Sequence, residues 1–275
     1  MKFSFNSTTL RDLDVFDAQS QIQKFGYDGI ELTLNDSHLH PLRSPMARVS
    51  EIKSFSADHG IPIVCVAAGG DRLLSDVPYE PSLIDADEND RRKRIDLLKR
   101  SIEITEFLGA PVLNFNSGLP PKELSRSQAK DHLLAGVREL LARRKNAILV
   151  IEPEPGFMIG TTTEAIAFIE EIGDPALRLN LDIGHVKCSE DDCYDAIERA
   201  MPYTRHIHIE DIKQRVHHHE IPGEGDIDFS RVFAILKDAN YSHYVSIELH
   251  HHNEVWQRAL KESLDYLHQF EMKMA

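Results

Sequence analysis

Eight short apolar or alternating segments recur along the chain, and this rhythm restricts the accessible folds more than any other feature of the sequence. Their starts lie roughly 30 to 50 residues apart, and a helix-like stretch follows each of them. This spacing is typical of β/α units with parallel strands, because a hairpin needs only a short turn. The predicted strands cover residues 2–5, 29–34, 61–67, 111–115, 147–152, 177–182, 206–209 and 244–249.

A chain of 275 residues with eight such units has the usual length of a (β/α)8 TIM barrel. An open doubly wound sheet would give a similar rhythm. In that fold, however, a Gly-rich nucleotide-binding loop commonly follows the first strand, and here residues 6–9 read Asn-Ser-Thr-Thr. We therefore predict an α/β fold in which residues 1–275 form a single closed barrel, with strand 2–5 beside strand 244–249.

Composition disfavours several classes of partner. The chain has 31 basic and 45 acidic residues, a formal charge of -14, which argues against binding of nucleic-acid phosphates. We find no run of about 18 apolar residues that would cross a membrane. Cys65, Cys188 and Cys193 are odd in number and form no close pair, which favours a reduced, cytoplasmic setting.

Four neighbouring predicted strands end in residue types that bind metals. The active site of a barrel lies at the carboxyl ends of its strands, so these residues are expected to face one mouth. A strand-end carboxylate can also cap the next helix, but four such residues in register favour a functional site. The four, called the quartet below, are Glu152, Asp182, His208 and Glu248.

The quartet would place three carboxylates close together, and their mutual repulsion is relieved when a cation is bound. Three oxygen donors and one nitrogen donor form a mixed set that suits Mn, Mg, Co or Zn. Such a set also leaves coordination positions for substrate oxygens or water. We therefore expect one divalent metal ion as the cofactor.

Longer motifs surround the quartet: Leu-Asp-Ile-Gly-His at 181–185, His-Ile-His-Ile-Glu-Asp at 206–211 and Pro-Gly-Glu-Gly-Asp-Ile-Asp-Phe at 222–229. With them the chain resembles the xylose isomerase-like barrels over nearly its whole length, from residues 25–32 to residues 245–249. That family includes tagatose and psicose 3-epimerases, inosose isomerases, hydroxypyruvate isomerases and, more distantly, endonuclease IV.

The resemblance implies that the quartet is the family's set of metal ligands and that His185 is its substrate-facing histidine after strand six. The endonuclease branch has additional metal-binding histidines after strands two to four, and this chain does not match them at the ends of strands three and four. Another extra metal site of that branch corresponds to His185, His217 and His219 here. A second metal at these three residues stays an open alternative.

Other polar residues near the predicted mouth are candidates for contact with substrate hydroxyls. Glu154 lies in the turn after strand five, where capping the next helix is an equally good interpretation, and Arg215 lies in the loop after strand seven. Histidine runs at 217–219 and 250–252 are either polar rim residues or a proton relay, and His219 and His250 are the preferred candidates. Lys and Arg do not cluster there, which favours an unphosphorylated sugar or polyol.

These residues favour a metal-dependent isomerase or epimerase of carbohydrate metabolism. We expect Glu152 and Glu248 to exchange the proton next to a substrate carbonyl, through an enediolate intermediate. Three alternatives stay open: an inosose-type dehydratase on the same metal site, an endonuclease IV-like phosphodiesterase, and a non-catalytic barrel that binds a metabolite. The sequence is also compatible with a homo-oligomer.

Overall fold

Eight parallel strands form a closed barrel in the computed structural model, which describes residues 1–70 and 72–272. Going round the barrel, the strands follow the order β1-β10-β7-β6-β5-β4-β3-β2. A separate antiparallel pair, β8 Asp211–Lys213 and β9 Val216–Glu220, lies outside this ring. The barrel strands are β1 Lys2–Asn6, β2 Gly29–Thr33, β3 Ile63–Ala67, β4 Val112–Asn116, β5 Ile148–Glu152, β6 Leu177–Asp182, β7 Thr204–Ile209 and β10 Tyr244–Ile247.

The predicted closure of the ring is confirmed. Strand β1 pairs in parallel with β10, with Lys2 opposite Tyr244 and Phe5 opposite Ile247, and on its other edge it pairs with β2. Closure leaves neither edge of the sheet unpaired, which removes the open backbone groups of an edge strand. The strands agree with the predicted segments to within two residues at each end.

Helices alternate with the strands and cover the outside of the barrel. Local sequence sets their ends: the side chains of Asp87, Ser125 and Asp228 cap the first turns of α3, α4 and α8, and left-handed Gly60 and Gly109 end α2 and α3. The helices are α1 Val15–Lys24, α2 Met46–His59, α3 Glu88–Leu108, α4 Arg126–Arg143, α5 Thr162–Ile172, α6 Ile183–Ser189, α7 Cys193–Ala200, α8 Phe229–Asp238 and α9 Trp256–Met272. Among the described residues, no helix has the length and apolar character needed to cross a membrane.

The two faces of the barrel strands differ in polarity. Residues such as Phe5, Leu149 and Ile247 belong to the main apolar core, which joins the strands to the surrounding helices. Residues of the opposite parity point into the barrel, because side chains alternate along a strand. Their apolar part is a small cluster of Cys65, Val112 and Val150, and the rest of this interior is largely polar.

Strands β8 Asp211–Lys213 and β9 Val216–Glu220 form a hairpin that the sequence analysis did not foresee. The histidine run 217–219 therefore lies on a strand and not in an irregular loop. Strand β3 ends at Ala67 and α3 begins only at Glu88, so the connection between them is long. Pro78 and Tyr79 from this connection form part of the wall of a cavity at the mouth of the barrel.

Gly29 begins β2 at a point where the chain has no room for a larger residue. A Cβ atom at this position would lie 2.6 Å from Val64 Cγ1 and 3.2 Å from the carbonyl oxygen of Pro62. We therefore predict that Gly29→Ala lowers the free energy of unfolding by about 1–3 kcal/mol, as measured by urea denaturation. The matched control is Gly160→Ala, whose added Cβ would meet its nearest atoms at 3.4 Å, an ordinary contact distance. Equal stability of the two variants would contradict the prediction.

Candidate metal centre and active site

The quartet converges at the mouth of the barrel. Its members come from β5, β6, β7 and the residue after β10, four strands that are consecutive in the ring. One ligand atom from each residue lies within 4.8 Å of the others, and all four side chains are buried. The structure thus brings together the four residues that the sequence analysis selected; their role as metal ligands stays a prediction.

His208 presents its Nδ1 atom to all three carboxylates of the quartet. Nδ1 lies 3.0 Å from Glu152 Oε1, 3.3 Å from Glu248 Oε2 and 3.7 Å from Asp182 Oδ2. Burial opposes a charged imidazole here, but Glu248 and the other nearby carboxylates raise the pKa of His208 well above its ordinary value. The negative potential at the centre of the quartet therefore favours a positive charge.

Two asparagines hold the outer oxygens of the quartet's glutamates. Asn114 Nδ2 donates to Glu152 Oε2 at 2.6 Å, and Asn6 Nδ2 donates to Glu248 Oε1 at 2.7 Å. Each glutamate therefore has one oxygen fixed by an amide and the other directed toward His208. The sequence analysis missed both asparagines, although Asn6 and Asn114 lie at or near strand ends, as the quartet does.

Asp182 provides a test of whether the quartet suits a metal ion. Its Oδ1 accepts the backbone N–H of His185 at 2.6 Å, which caps α6. Its Oδ2 is buried and has no hydrogen-bond partner among the described residues. A buried acceptor without a partner is costly, and a cation at the centre of the quartet would satisfy it. The donor set and this unpaired oxygen both fit a divalent metal ion.

A second polar layer lies in the barrel beneath the quartet. Glu31 of β2, with no exposed surface, accepts hydrogen bonds from His208 Nε2 at 2.9 Å and from His206 Nε2 at 2.9 Å. The sequence analysis missed both residues of this layer, Glu31 and His206. The only available signal was the alternation of side chains along β2 and β7. It places both residues on the face that points into the barrel, while the other face of each strand is apolar.

Glu210 and Asp211 follow β7 directly and are both buried. Burial and the neighbouring Asp182 carboxylate raise the pKa of Glu210 well above its ordinary value, so the neutral acid is favoured. Asp211 organises the Gly-rich turn, because its oxygens accept the backbone N–H groups of Gly223 and Ile227 at 2.9 and 3.1 Å. A Cβ on Gly225 would collide with the Asp211 carboxylate, whereas Gly223 has a φ of 99° and its Cβ would lie 2.7 Å from the ring of Tyr266.

Three histidines from α6 and the hairpin converge beside the quartet: His185, His217 and His219. His185 Nδ1 donates to the carbonyl oxygen of Pro153 at 2.9 Å, and its buried Nε2 has no hydrogen-bond partner among the described residues. Although burial opposes it, Asp182 and Glu154 raise the pKa of His185 to about 9. His217 Nε2 and His219 Nε2 lie 2.9 Å apart and share a hydrogen bond. One nitrogen atom from each of the three lies within 4.8 Å of the others, so a second metal at these residues stays an open alternative.

Glu154 and His250 also line the cavity at the mouth. Burial raises the pKa of Glu154 to about 7. The side chain that caps α5 belongs to Thr161, so the capping interpretation of Glu154 is wrong. His250 Nε2 lies 3.4 Å from Glu248 Oε2, at the edge of the quartet.

The structure places Arg215 away from the cavity, contrary to the sequence prediction. Arg215 lies at the tip of the β8–β9 hairpin, with a φ of 59°. Its guanidinium donates to the carbonyl oxygens of Cys188 and Glu190 at 3.2 and 2.9 Å. These bonds attach the hairpin to the end of α6. We therefore withdraw Arg215 as a substrate contact.

The cavity has a volume of about 900 Å³, within the range of small-molecule sites. Glu152, Glu154, His185, His219 and Glu248 lie in its wall. Residues that the sequence analysis did not select complete its lining, and they include Asp12, Tyr79, Asn116, Asn253 and Glu254. Two arginines, Arg11 and Arg72, also line it, although the sequence analysis expected no cluster of Lys and Arg at the mouth.

Comparison with known proteins gives consistent results for sequence and structure. A 3-dehydro-D-guloside 4-epimerase of Escherichia coli (strain K12) is 26% identical over 263 residues, which cover 90% of this chain and 91% of that protein. The D-psicose 3-epimerase of Clostridium cellulolyticum H10, solved with D-tagatose, superimposes with a TM-score of 0.79 at 17% identity and covers 98% of this chain and 99% of its own.

The IolI protein, solved with a bound zinc atom, superimposes with a TM-score of 0.81 at 18% identity, covering 98% of this chain and 99% of that one. These two structural similarities establish the shared fold. The pattern of the xylose isomerase-like TIM barrel family matches residues 20–270. This chain belongs to the xylose isomerase-like TIM barrel family.

Proposed function

We propose that this protein is a divalent-metal-dependent isomerase or epimerase that acts on a small, unphosphorylated keto-sugar or keto-polyol. The observation that carries the proposal is the convergence of three carboxylates and one imidazole nitrogen around one centre, with both glutamates fixed by asparagine amides. The E. coli relative is named as a sugar epimerase, and the psicose 3-epimerase structure is a second sugar epimerase with this fold.

The quartet would hold one ion of Mn, Mg, Co or Zn. When bound, such an ion polarises a substrate carbonyl and makes the adjacent C–H more acidic. Asp182 and His208 are already oriented for this role, Asp182 by its bond to the His185 N–H and His208 by its bond to Glu31. Glu152 and Glu248 each keep one oxygen directed toward the centre.

Glu152 and Glu248 act as the acid and the base. The amide of Asn114 bonds to Glu152 and that of Asn6 bonds to Glu248, so both carboxyl groups are held in a fixed orientation with one oxygen facing the centre. One glutamate, as the carboxylate, removes the proton next to the carbonyl and gives an enediolate, and the other, as the carboxylic acid, donates a proton to it. The first glutamate is left protonated and the second ionised, and proton exchange with solvent restores both. The carbon that receives the donated proton distinguishes isomerisation from epimerisation.

The remaining wall of the cavity would bind substrate hydroxyls. His185 Nε2 is a buried donor with no partner among the described residues, and Glu154 Oε1 lies 3.9 Å from it. His219 and His250 line the same wall. The cavity therefore offers donors and acceptors suited to a polyol. A cytoplasmic location and a homo-oligomer stay predictions from the sequence.

Metal binding is the first requirement of the proposal. We predict that the metal-free protein binds one Mn²⁺ per chain in a calorimetric titration, and that Asp182→Asn weakens the affinity by at least the 10- to 100-fold typical of lost outer-sphere partners. Asparagine is also a good N-cap, so the start of α6 should be preserved. Asp238→Asn, the same change at an exposed position of α8, is the control.

Two bound ions per chain would contradict the single-ion assignment and would favour the second site at His185, His217 and His219. Unchanged affinity in Asp182→Asn would contradict the quartet as the ligand set.

Proton exchange is the second requirement. We predict that the Mn²⁺- or Co²⁺-loaded protein incorporates solvent deuterium at the carbon next to the carbonyl of at least one member of a panel of ketoses, keto-glycosides and inososes. Glu248→Gln keeps the shape of the side chain and one ligand oxygen but removes the base, so exchange should be abolished while metal binding is only partly weakened. The control is Glu262→Gln on the exposed face of α9.

Product analysis by NMR accompanies the exchange measurement. Carbon-bound deuterium in an isomer or epimer of the substrate supports the proposal, whereas loss of water from the substrate would identify a dehydratase. Exchange at the wild-type rate in Glu248→Gln would contradict the acid–base assignment.

A further inference from the structure

Glu31 is a buried carboxylate that the mechanism above does not use directly. It has no exposed surface and lies inside the barrel on β2. Its Oε1 and Oε2 lie 2.9 and 3.0 Å from His208 Nε2, and its Oε2 also lies 2.9 Å from His206 Nε2. One carboxylate is therefore held by two imidazoles from the far side of the barrel.

The backbone of β2 is irregular at this residue. Ile30 pairs with Ile63, but Glu31 pairs with Cys65, so the register with β3 shifts between Ile30 and Glu31. Bulges of this kind change the direction of a side chain and are frequent beside active sites. The irregularity coincides with the one acidic residue that β2 contributes to the interior.

The contact with Glu31 determines which nitrogen of His208 faces the quartet. A neutral imidazole carries one N–H and one lone pair. Ionised Glu31 only accepts hydrogen bonds, so Nε2 of His208 must carry the proton. The lone pair then lies on Nδ1, the atom that faces Glu152, Asp182 and Glu248 at 3.0 to 3.7 Å.

We infer that Glu31 is a positioning residue of the metal centre, which fixes the tautomer and ring orientation of His208 and so sets the affinity of the quartet for its ion. The inference rests on the proposed metal site and concerns how that site is built. The bond from His206 Nε2 to Glu31 Oε2, at 2.9 Å, adds a second donor and so restrains the carboxylate beside His208. Carboxylate–histidine–metal arrangements raise the basicity of the ligand nitrogen as well as orienting it.

The test compares Glu31→Gln with Val112→Ala, both measured with Mn²⁺ alone. Glutamine keeps the shape of the side chain but loses the charge and places an N–H group among N–H donors, so Mn²⁺ affinity should fall by about 10- to 100-fold. Val112 is buried in the small apolar cluster inside the barrel, and its side chain has no polar atom that could bond to Glu31 or to an ion. Its variant controls for disturbed packing and should keep the wild-type affinity.

A second measurement on the wild-type protein does not depend on whether a variant folds. In ¹⁵N-labelled, Zn²⁺-loaded protein, long-range imidazole NMR spectra should show His208 with Zn²⁺ on Nδ1 and a slowly exchanging proton on Nε2. The same resonance in Glu31→Gln should exchange faster or disappear.

The outcomes separate this inference from the proposed function. Mn²⁺ binding that is unchanged in Glu31→Gln would overturn the role of Glu31 and leave the metal site intact. A proton on Nδ1 of His208 in the Zn²⁺-loaded protein would overturn the role of Glu31 and also remove His208 from the ligand set, while binding by the three carboxylates would stand. Absence of metal binding in the wild-type protein would overturn both.

Discussion

The structure depends on the neutralisation of several carboxylates inside a closed barrel. Glu31, Glu152, Asp182 and Glu248 are all more than nine-tenths buried, and an unpaired charge in such an environment costs several kcal/mol. Amide groups from Asn6 and Asn114, a helix N-terminus at His185 and the imidazoles of His206 and His208 supply partners for most of their oxygens. Because these partners surround the quartet from outside, the uncompensated negative potential is concentrated at its centre.

The strands and the connections around this centre contribute different parts of the site. The barrel strands supply rigid positions, since their outward faces pack into the apolar core, while the inward faces carry the polar layers. The β8–β9 hairpin and the β3–α3 connection form the wall of the cavity, and they add His217, His219 and Tyr79. The quartet therefore lies at the ends of the strands, whereas the connections above them supply part of the cavity wall, as is usual for barrels of this class.

The barrel and the quartet could be predicted because both rest on short-range patterns. A strand that is buried on its outer face and ends in a carboxylate is visible in a few consecutive residues, as in Leu149 to Glu152. Glu31 could not be found in this way. Its partner His206 is 175 residues away in the sequence, and only ring closure brings β2 and β7 across the barrel from each other. Asn6 and Asn114 were missed for the same reason. Their role is visible only from their contacts with Glu248 and Glu152 in the folded chain.

The hairpin was missed because its turn lacks the usual residues. Gln214 and Arg215 both have positive φ, 55° and 59°, as in a type I′ turn that normally contains Asn or Gly. Without that signal, residues 211–220 resembled an irregular loop, and Arg215 was expected in the mouth. The turn is stabilised instead by hydrogen bonds from the Arg215 guanidinium to carbonyl oxygens at the end of α6. These bonds also direct the side chain away from the cavity.

The central claim is that the four strand-end residues enclose a single cation. Anomalous diffraction from crystals grown with Mn²⁺, with data collected on both sides of the Mn absorption edge, tests this claim without reference to catalysis. The account predicts one strong peak per chain, about 2.0 to 2.6 Å from oxygens of Glu152, Asp182 and Glu248 and from Nδ1 of His208. A peak coordinated by other residues, or the absence of any peak with the four side chains turned apart, would contradict it.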